Sequence, residues 1–225
     1  MKTADRPVAL VTGAAGALGT ALVEQLMAAG RDCVALDRNR RALEKMHDRL
    51  GAEGSAPLVV PLDLAGCGPD SFAELTEHLQ GEFGRLDLMI HAAAEFRALT
   101  PLEHLPPEDW MQCLQAGLTG PLLLVQALLP MMRDTAGSRM IWVVDAPEEK
   151  AAYWGAYGVV QSGRVGMARI LAAECRVDGP QVRVVDPGPF YSPLRSRAWP
   201  AEDPKSLPSA AEAAARVLEA AGISS

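Results

Sequence analysis

Three glycines raise the first chemical expectation. In Thr12-Gly13-Ala14-Ala15-Gly16-Ala17-Leu18-Gly19 they recur at every third position, behind the apolar run Val8–Val11 and ahead of an amphipathic stretch. A chain that turns from strand to helix while touching a phosphate needs residues without side chains. The helix start then offers unpaired N–H groups and a positive dipole end. A glycine triplet alone is weak evidence. Here it follows a strand, opens a helix and precedes an acidic residue, Asp37, at the end of the next apolar run. That context predicts a pyrophosphate-binding loop of a dinucleotide site. The Asp37 carboxylate can accept hydrogen bonds from an adenosine ribose diol and repels a 2′-phosphate, which predicts NAD over NADP; Arg38 beside it partly offsets that repulsion.

Other reactive side chains are scattered. Cys33, Cys67, Cys113 and Cys175 form no Cys-x-x-Cys pair, so free, mostly buried thiols and a reducing compartment are expected, with no metal site. The only lysines are Lys2, Lys45, Lys150 and Lys205. His91 ends an apolar run, and a histidine hydrogen-bonded to backbone is expected there.

The elements that must position these groups alternate. Val8–Val11, Cys33–Leu36, Leu58–Val60, Leu86–Ile90, Met140–Val144 and Val182–Val185 read as strands, nearly all apolar, as parallel strands covered on both faces should be. Helical periods fill the gaps at Ala17–Ala29, Arg40–Leu50, Ser71–Phe83, Pro107–Met132, Tyr153–Val177 and Ser209–Ala221. Right-handed crossovers give an α/β fold with one doubly wound Rossmann-type sheet, six parallel strands in the order 3-2-1-4-5-6. No linker interrupts the alternation, so residues 1–225 are expected to form a single domain. Residues 186–208 carry six prolines and no clear period. A long loop after the sixth strand borders the ligand crevice, so a lid is expected there.

A net charge of -7, with 49% hydrophobic and 22% charged residues, fits a soluble globular chain and argues against a nucleic-acid footprint. Met1–Arg6 leads into a strand without an apolar leader. The apolar stretch Leu122–Met132 holds Gln126 and Pro130 and is too short to span a bilayer. A cytoplasmic protein without membrane or nucleic-acid partners is expected.

From Val8 to about Ser192 the chain resembles the short-chain dehydrogenase/reductase family. The carriers are the Thr-Gly loop, Asp63-Leu64 after the third strand, Ala156-Tyr157-Gly158 opening a long helix with Leu171-Ala172-Ala173-Glu174, and Asp186-Pro187-Gly188. The common branch of the family places its middle glycine where Ala17 stands; Gly16 gives the spacing of the extended branch. The resemblance implies a dinucleotide held by Gly13, Ala15, Gly16, Leu18, Gly19, Asp37, Arg38, Asp63, Leu64, Ala92, Ala93, Pro187, Gly188 and Ser192, with no metal. Ser192 stands for a family threonine near the carboxamide, and Asp63-Leu64 for the adenine-contacting pair.

The family's catalytic pattern is a tyrosine acid/base, a lysine four residues later, a serine about a dozen residues earlier and an asparagine on the preceding helix. Here those positions hold Tyr157, Gln161, Asp145 and Gly117; only the tyrosine is kept. Asn-Asn-Ala-Gly becomes His91-Ala92-Ala93-Ala94, followed by Glu95. Replacing a cation by an amide and adding a carboxylate raises a tyrosine pKa from about 10, and a carboxylate opposes a developing alkoxide. Lys150 is the nearest lysine in sequence. Arg164 lies two helical turns past Tyr157, about 10 Å along the axis. Tyr191 and Arg195 repeat the tyrosine-cation spacing inside the expected lid.

Three readings follow. The leading one is a dinucleotide-binding member that has lost standard hydride transfer, a sensor or scaffold. The second is an active NAD(P)-dependent oxidoreductase using Asp145 and Tyr157 in a rewired site. The third is a cofactor-free structural dimer subunit. The family's seventh strand has no counterpart before Ser225. Its two dimer-forming helices correspond to Glu108–Met132 and the helix beginning near Tyr153, so a homodimer is expected.

Overall fold

The computed structural model describes residues 6–52, 54–145 and 152–223. Lys150 lies outside them. Six strands, β1 (Val8–Thr12), β2 (Asp32–Asp37), β3 (Leu58–Pro61), β4 (Leu88–His91), β5 (Arg139–Val143) and β6 (Gln181–Val185), form one sheet in the order β3-β2-β1-β4-β5-β6. Every neighbouring pair is parallel. Parallel pairing needs crossovers, and helices supply them: α1 (Ala17–Ala28), α2 (Arg40–Ala52), α3 (Pro69–Glu82), α4 (Pro107–Leu114), α5 (Gly120–Asp134) and α6 (Gly155–Glu174). Beyond β6 come α7 (Pro193–Ala198) and α8 (Ala210–Ala220).

The apolar pattern decides the layers. In β1, Ala9 and Val11 face one side and pack with Leu22 and Leu26 of α1, Leu43 of α2 and Val217 of α8. Val8 and Leu10 face the other, with Phe72 of α3, Leu128 of α5 and Leu171 of α6. In β1 both faces are buried, so it is apolar from Val8 to Val11, whereas the edge strand β6 exposes Gln181 and Arg183.

Two expected elements differ. The stretch read as one helix from Pro107 is continuous to Asp134, but Gln115–Thr119 is a π-helical segment between α4 and α5. Pro130 sits inside α5 without ending it. At 28 residues this helix is by length and composition apolar enough to cross a membrane, unlike the short stretch expected. Its residues Leu124, Val125, Leu128, Met131 and Met132 are instead buried in the core. The proline-rich segment after β6 is not without regular structure: Ser192 caps α7, accepting the Arg195 N–H at 3.1 Å, and Asp203 caps a short 3-10 turn.

Candidate functional site

At the sheet's switch point, between β1 and β4, the loops from the carboxyl ends of the strands enclose a cleft of about 330 Å³. The loop after β1 contributes Gly13, Ala15 and Gly16, and the first turn of α1 contributes Leu18 and Gly19. β2 contributes Asp37, the loops after β4 and β5 contribute Ala92, Ala94 and Asp145, and the segment after β6 contributes Pro187, Gly188, Phe190 and Ser192. Tyr157, Gln161 and Arg164 enter from α6. A groove of about 610 Å³ lies elsewhere, along β3 and α3, and takes in Asp63. It lacks the loop, the helix start and the tyrosine, so the chemistry belongs to the cleft.

The glycines of the loop are required by the protein's own backbone. Gly13 has φ +70°, and a Cβ there would lie 2.6 Å from Ala93 Cα. A Cβ on Gly19 would enter the Gly13 carbonyl and lie 2.7 Å from Ala14 Cα. Gly16 is the least crowded of the three, its Cβ position 3.2 Å from the Gly13 carbonyl oxygen, and its extended backbone makes it the N-cap of α1. No side chain caps that helix. Asp37 holds the loop from β2: its carboxylate accepts from the Ala15 N–H at 3.1 Å and the Asn39 N–H at 2.8 Å.

The α6 residues meet the loop after β5. Tyr157 is buried, and its hydroxyl donates to the Asp145 carboxylate at 3.0 Å. Burial, then the Asp145 charge and this hydrogen bond, push the Tyr157 pKa well above its ordinary value; Arg164 opposes the shift. Gln161 is also buried, and its Oε1 accepts the Asp145 N–H at 3.2 Å. The amide at the lysine position therefore holds the carboxylate's backbone in place.

Arg164 is the residue sequence reasoning set aside. Counting along the helix placed it two turns from Tyr157, but its long side chain turns into the fully buried floor of the cleft. Its Nε donates to the Gly117 carbonyl at 3.2 Å, Nη1 to the Val143 carbonyl at 3.1 Å, and Nη2 to the Ala93 carbonyl. One guanidinium thus ties the π segment to the ends of β5 and β4. Burial lowers its pKa to about 10, so it remains a cation at neutral pH. Among the described residues no carboxylate forms a salt bridge with it.

Other expected residues fall outside the lining. Gly117 is buried against Val160 of α6, and only its carbonyl serves, through Arg164. Ala93 donates its N–H to Thr12 Oγ1 at 3.2 Å. Leu64 packs in the core, and the Asp63 carboxylate accepts from the Ala65 N–H at 3.0 Å. The Arg38 guanidinium pairs with Glu95 at 2.9 Å. His91 is corrected outright. It is fully buried, stacked on Trp142 at 4.2 Å, and neither ring nitrogen has a hydrogen-bond partner among the described residues. Burial, with Arg164 nearby, lowers its pKa to about 3.

The aromatic residues divide. Phe96, Trp154 and Tyr157 cluster, with Trp199 against Trp154, while Tyr153 is exposed at φ 75°. Arg195 lines the cleft but is committed to Glu202 at 2.6 and 2.7 Å; Tyr191 is half exposed. The four cysteines are free, as expected. No metal-ligand cluster occurs among the described residues.

A parallel sheet in this order, a glycine loop at its switch point and a tyrosine on the helix after β5 define a Rossmann-type dinucleotide fold. The family model for short chain dehydrogenases matches residues 7–203, and the chain belongs to that family. It is 28% identical over 207 residues to the uncharacterized oxidoreductase YciK of Escherichia coli (strain K12), covering 91% of this chain and 82% of that one. It is 30% identical over 196 residues to D-threitol dehydrogenase of Mycolicibacterium smegmatis, covering 87% and 74%. A solved short chain dehydrogenase of Shigella flexneri 2a str. 301, complexed with NADP, superposes with a TM-score of 0.89 at 26% identity, covering 95% of this chain and 91% of that one.

Proposed function

We propose that this chain binds a nicotinamide dinucleotide in the cleft but has given up the family's standard hydride-transfer chemistry, acting as a sensor or scaffold. The observation that carries this reading is the Tyr157–Asp145 hydrogen bond, 3.0 Å long and part-buried. A bound nicotinamide supplies or takes up the hydride. The accompanying proton must move at Tyr157 Oη, where a neighbouring carboxylate holds it on the oxygen. A developing alkoxide beside Asp145 is disfavoured by the same charge.

The residues present suit the dinucleotide. The first-turn amides of α1 are uncapped by any side chain, which favours a pyrophosphate. Asp37 keeps lone pairs for a ribose diol beyond its two backbone bonds. Ser192 Oγ accepts from Arg195 and retains its hydrogen as a donor toward a carboxamide. Asp37 favours NAD, although the Shigella relative was solved with NADP. A homodimer is supported by apolar residues exposed on the long helices, Met111 and Leu122 on one side, Val159 and Ile170 on α6. The free thiols favour a reducing, cytoplasmic setting.

A second reading, an active oxidoreductase, draws on the same contact. Asp145 and Tyr157 could share a proton, with the Arg164 cation beneath them, and a protonated Asp145 could donate to a carbonyl. Calorimetric titration with NADH and NADPH, paired with turnover on a panel of carbonyls and alcohols, separates the readings. Saturable binding without turnover is expected. Turnover abolished by Tyr157→Phe establishes the second reading, and no binding of either dinucleotide leaves the cofactor-free dimer subunit.

A further inference from the structure

Beside the cleft, next to its lining residues Asp37 and Ala94, lies a charged cluster built on Glu95. Arg38, directly after Asp37 at the end of β2, reaches across the mouth of β1 to Glu95, four residues past the end of β4. The pair closes at 2.9 Å. Glu95 is held from its other side by Arg97, also at 2.9 Å. Arg97 is itself anchored on α4, by a hydrogen bond to Gln112 and by Asp109 at 3.8 Å. The Glu95 carbonyl accepts from Cys113 Sγ at 3.5 Å. The Glu95 side chain is only 8% exposed, whereas Arg38 is 52% exposed. The carboxylate is therefore the fixed half of the pair and the guanidinium the captured half.

The position matters because Arg38 is the cation beside Asp37. A 2′-phosphate placed there meets the Asp37 charge and needs a guanidinium to offset it. That guanidinium is already engaged by a carboxylate more buried than itself. Asp37, Arg38, Glu95 and Arg97 together carry no net charge, so a dianionic phosphate finds no excess of positive charge.

We propose that Glu95 is a specificity-determining residue: it holds Arg38 away from the adenosine ribose and so disfavours a 2′-phosphorylated dinucleotide relative to NAD(H). The inference rests on the proposed dinucleotide-binding function and adds to it a residue that acts through Arg38. Release of Arg38 is opposed by one ion pair that is half exposed, so the expected effect is moderate.

The test is the ratio of the dissociation constants for NADPH and NADH, measured by calorimetry or NADH fluorescence on the full chain at fixed salt. Glu95→Gln removes one negative charge and frees Arg38, and should lower that ratio by about threefold to tenfold, up to roughly 1.4 kcal/mol. Adding Arg38→Gln to that variant should abolish the gain. Arg38→Gln alone, in a chain whose Glu95 is intact, should change NADPH affinity by less than about twofold; this arm stands even if Glu95→Gln fails to fold. An unchanged ratio in folded Glu95→Gln, or a large loss of NADPH affinity in Arg38→Gln alone, overturns the role of Glu95 while leaving dinucleotide binding intact. Failure of the unmodified chain to bind either dinucleotide overturns both readings together.

Discussion

Restoring the family's asparagine at Gly117 should damage the protein rather than repair its chemistry. Any side chain there adds a Cβ, which would lie 3.3 Å from Val160 Cγ2, 3.4 Å from its Cβ and inside its Cγ1. Valine is stiff at χ1 and Val160 is buried, so it cannot swing aside. Alanine isolates the effect. In an ordinary helix interior Gly→Ala stabilises by about 1 kcal/mol. Here overpacking of about 1–3 kcal/mol opposes it, so Gly117→Ala should show a net cost of about 0–2 kcal/mol instead of that gain. The damage should also reach Arg164, because its Nε bond ends on the Gly117 carbonyl. Val160→Ala alone costs about 1.6 kcal/mol for two lost methyl groups, but in the double variant the space it leaves takes up the new Cβ. Urea unfolding of the four proteins then gives a favourable coupling on the order of 1–2 kcal/mol. A Gly117→Ala protein about 1 kcal/mol more stable than the parent, or two effects that add within about 0.5 kcal/mol, refutes the steric argument.

Three further outcomes follow from the same structure. His91 has its pKa lowered to about 3 from an ordinary 6.5, so its contribution to stability is complete above pH 6.5 and is lost as pH falls through that value toward 3. From pH 7 to pH 5 this loss is about 2 kcal/mol, and His91→Phe should remove that part of the acid sensitivity, read from urea midpoints at the two pH values. Arg164→Lys keeps the charge but cannot reach carbonyls on three elements; a loss of about 2–4 kcal/mol is expected, and unchanged thermal and urea stability would show that the fork does not pin them. Gly19→Ala forces the phosphate loop from its helix, and should cost about 1–3 kcal/mol and abolish dinucleotide binding; retained affinity in a calorimetric titration argues that the loop has another way to pack.

The correspondence between sequence and structure is closest where the controlling contacts are short in range. Strand positions followed from apolar runs, because most residues of the central strands are buried on one sheet face or the other by the flanking helices. The glycine loop was legible in part because Gly19 answers to backbone a few residues away, at Gly13, although Gly13 itself answers to Ala93 across the sheet. Even the upward shift of Tyr157 could be argued from residue types, since Asp145 stands at a family position whose place in the fold is set by the sheet.

What sequence reading missed depended on side chains crossing between elements. Spacing on α6 placed Arg164 two turns from Tyr157, yet a long side chain turning inward brings its guanidinium to carbonyls of residues 71, 47 and 21 positions away. The same holds for Arg38 and Glu95, joined only because β2, β1 and β4 lie side by side. His91 was expected to bond to backbone, but full burial and stacking on Trp142 leave its nitrogens without partners among the described residues. The sequence by itself determined the order of elements, the glycine loop between β1 and α1 and the identity of the four residues at the family's catalytic positions, because these depend on local pattern. Only the tertiary structure decided which cation stands near Tyr157 and which carboxylate holds Arg38. Ion pairs and buried hydrogen bonds depend on distances that chain separation does not encode.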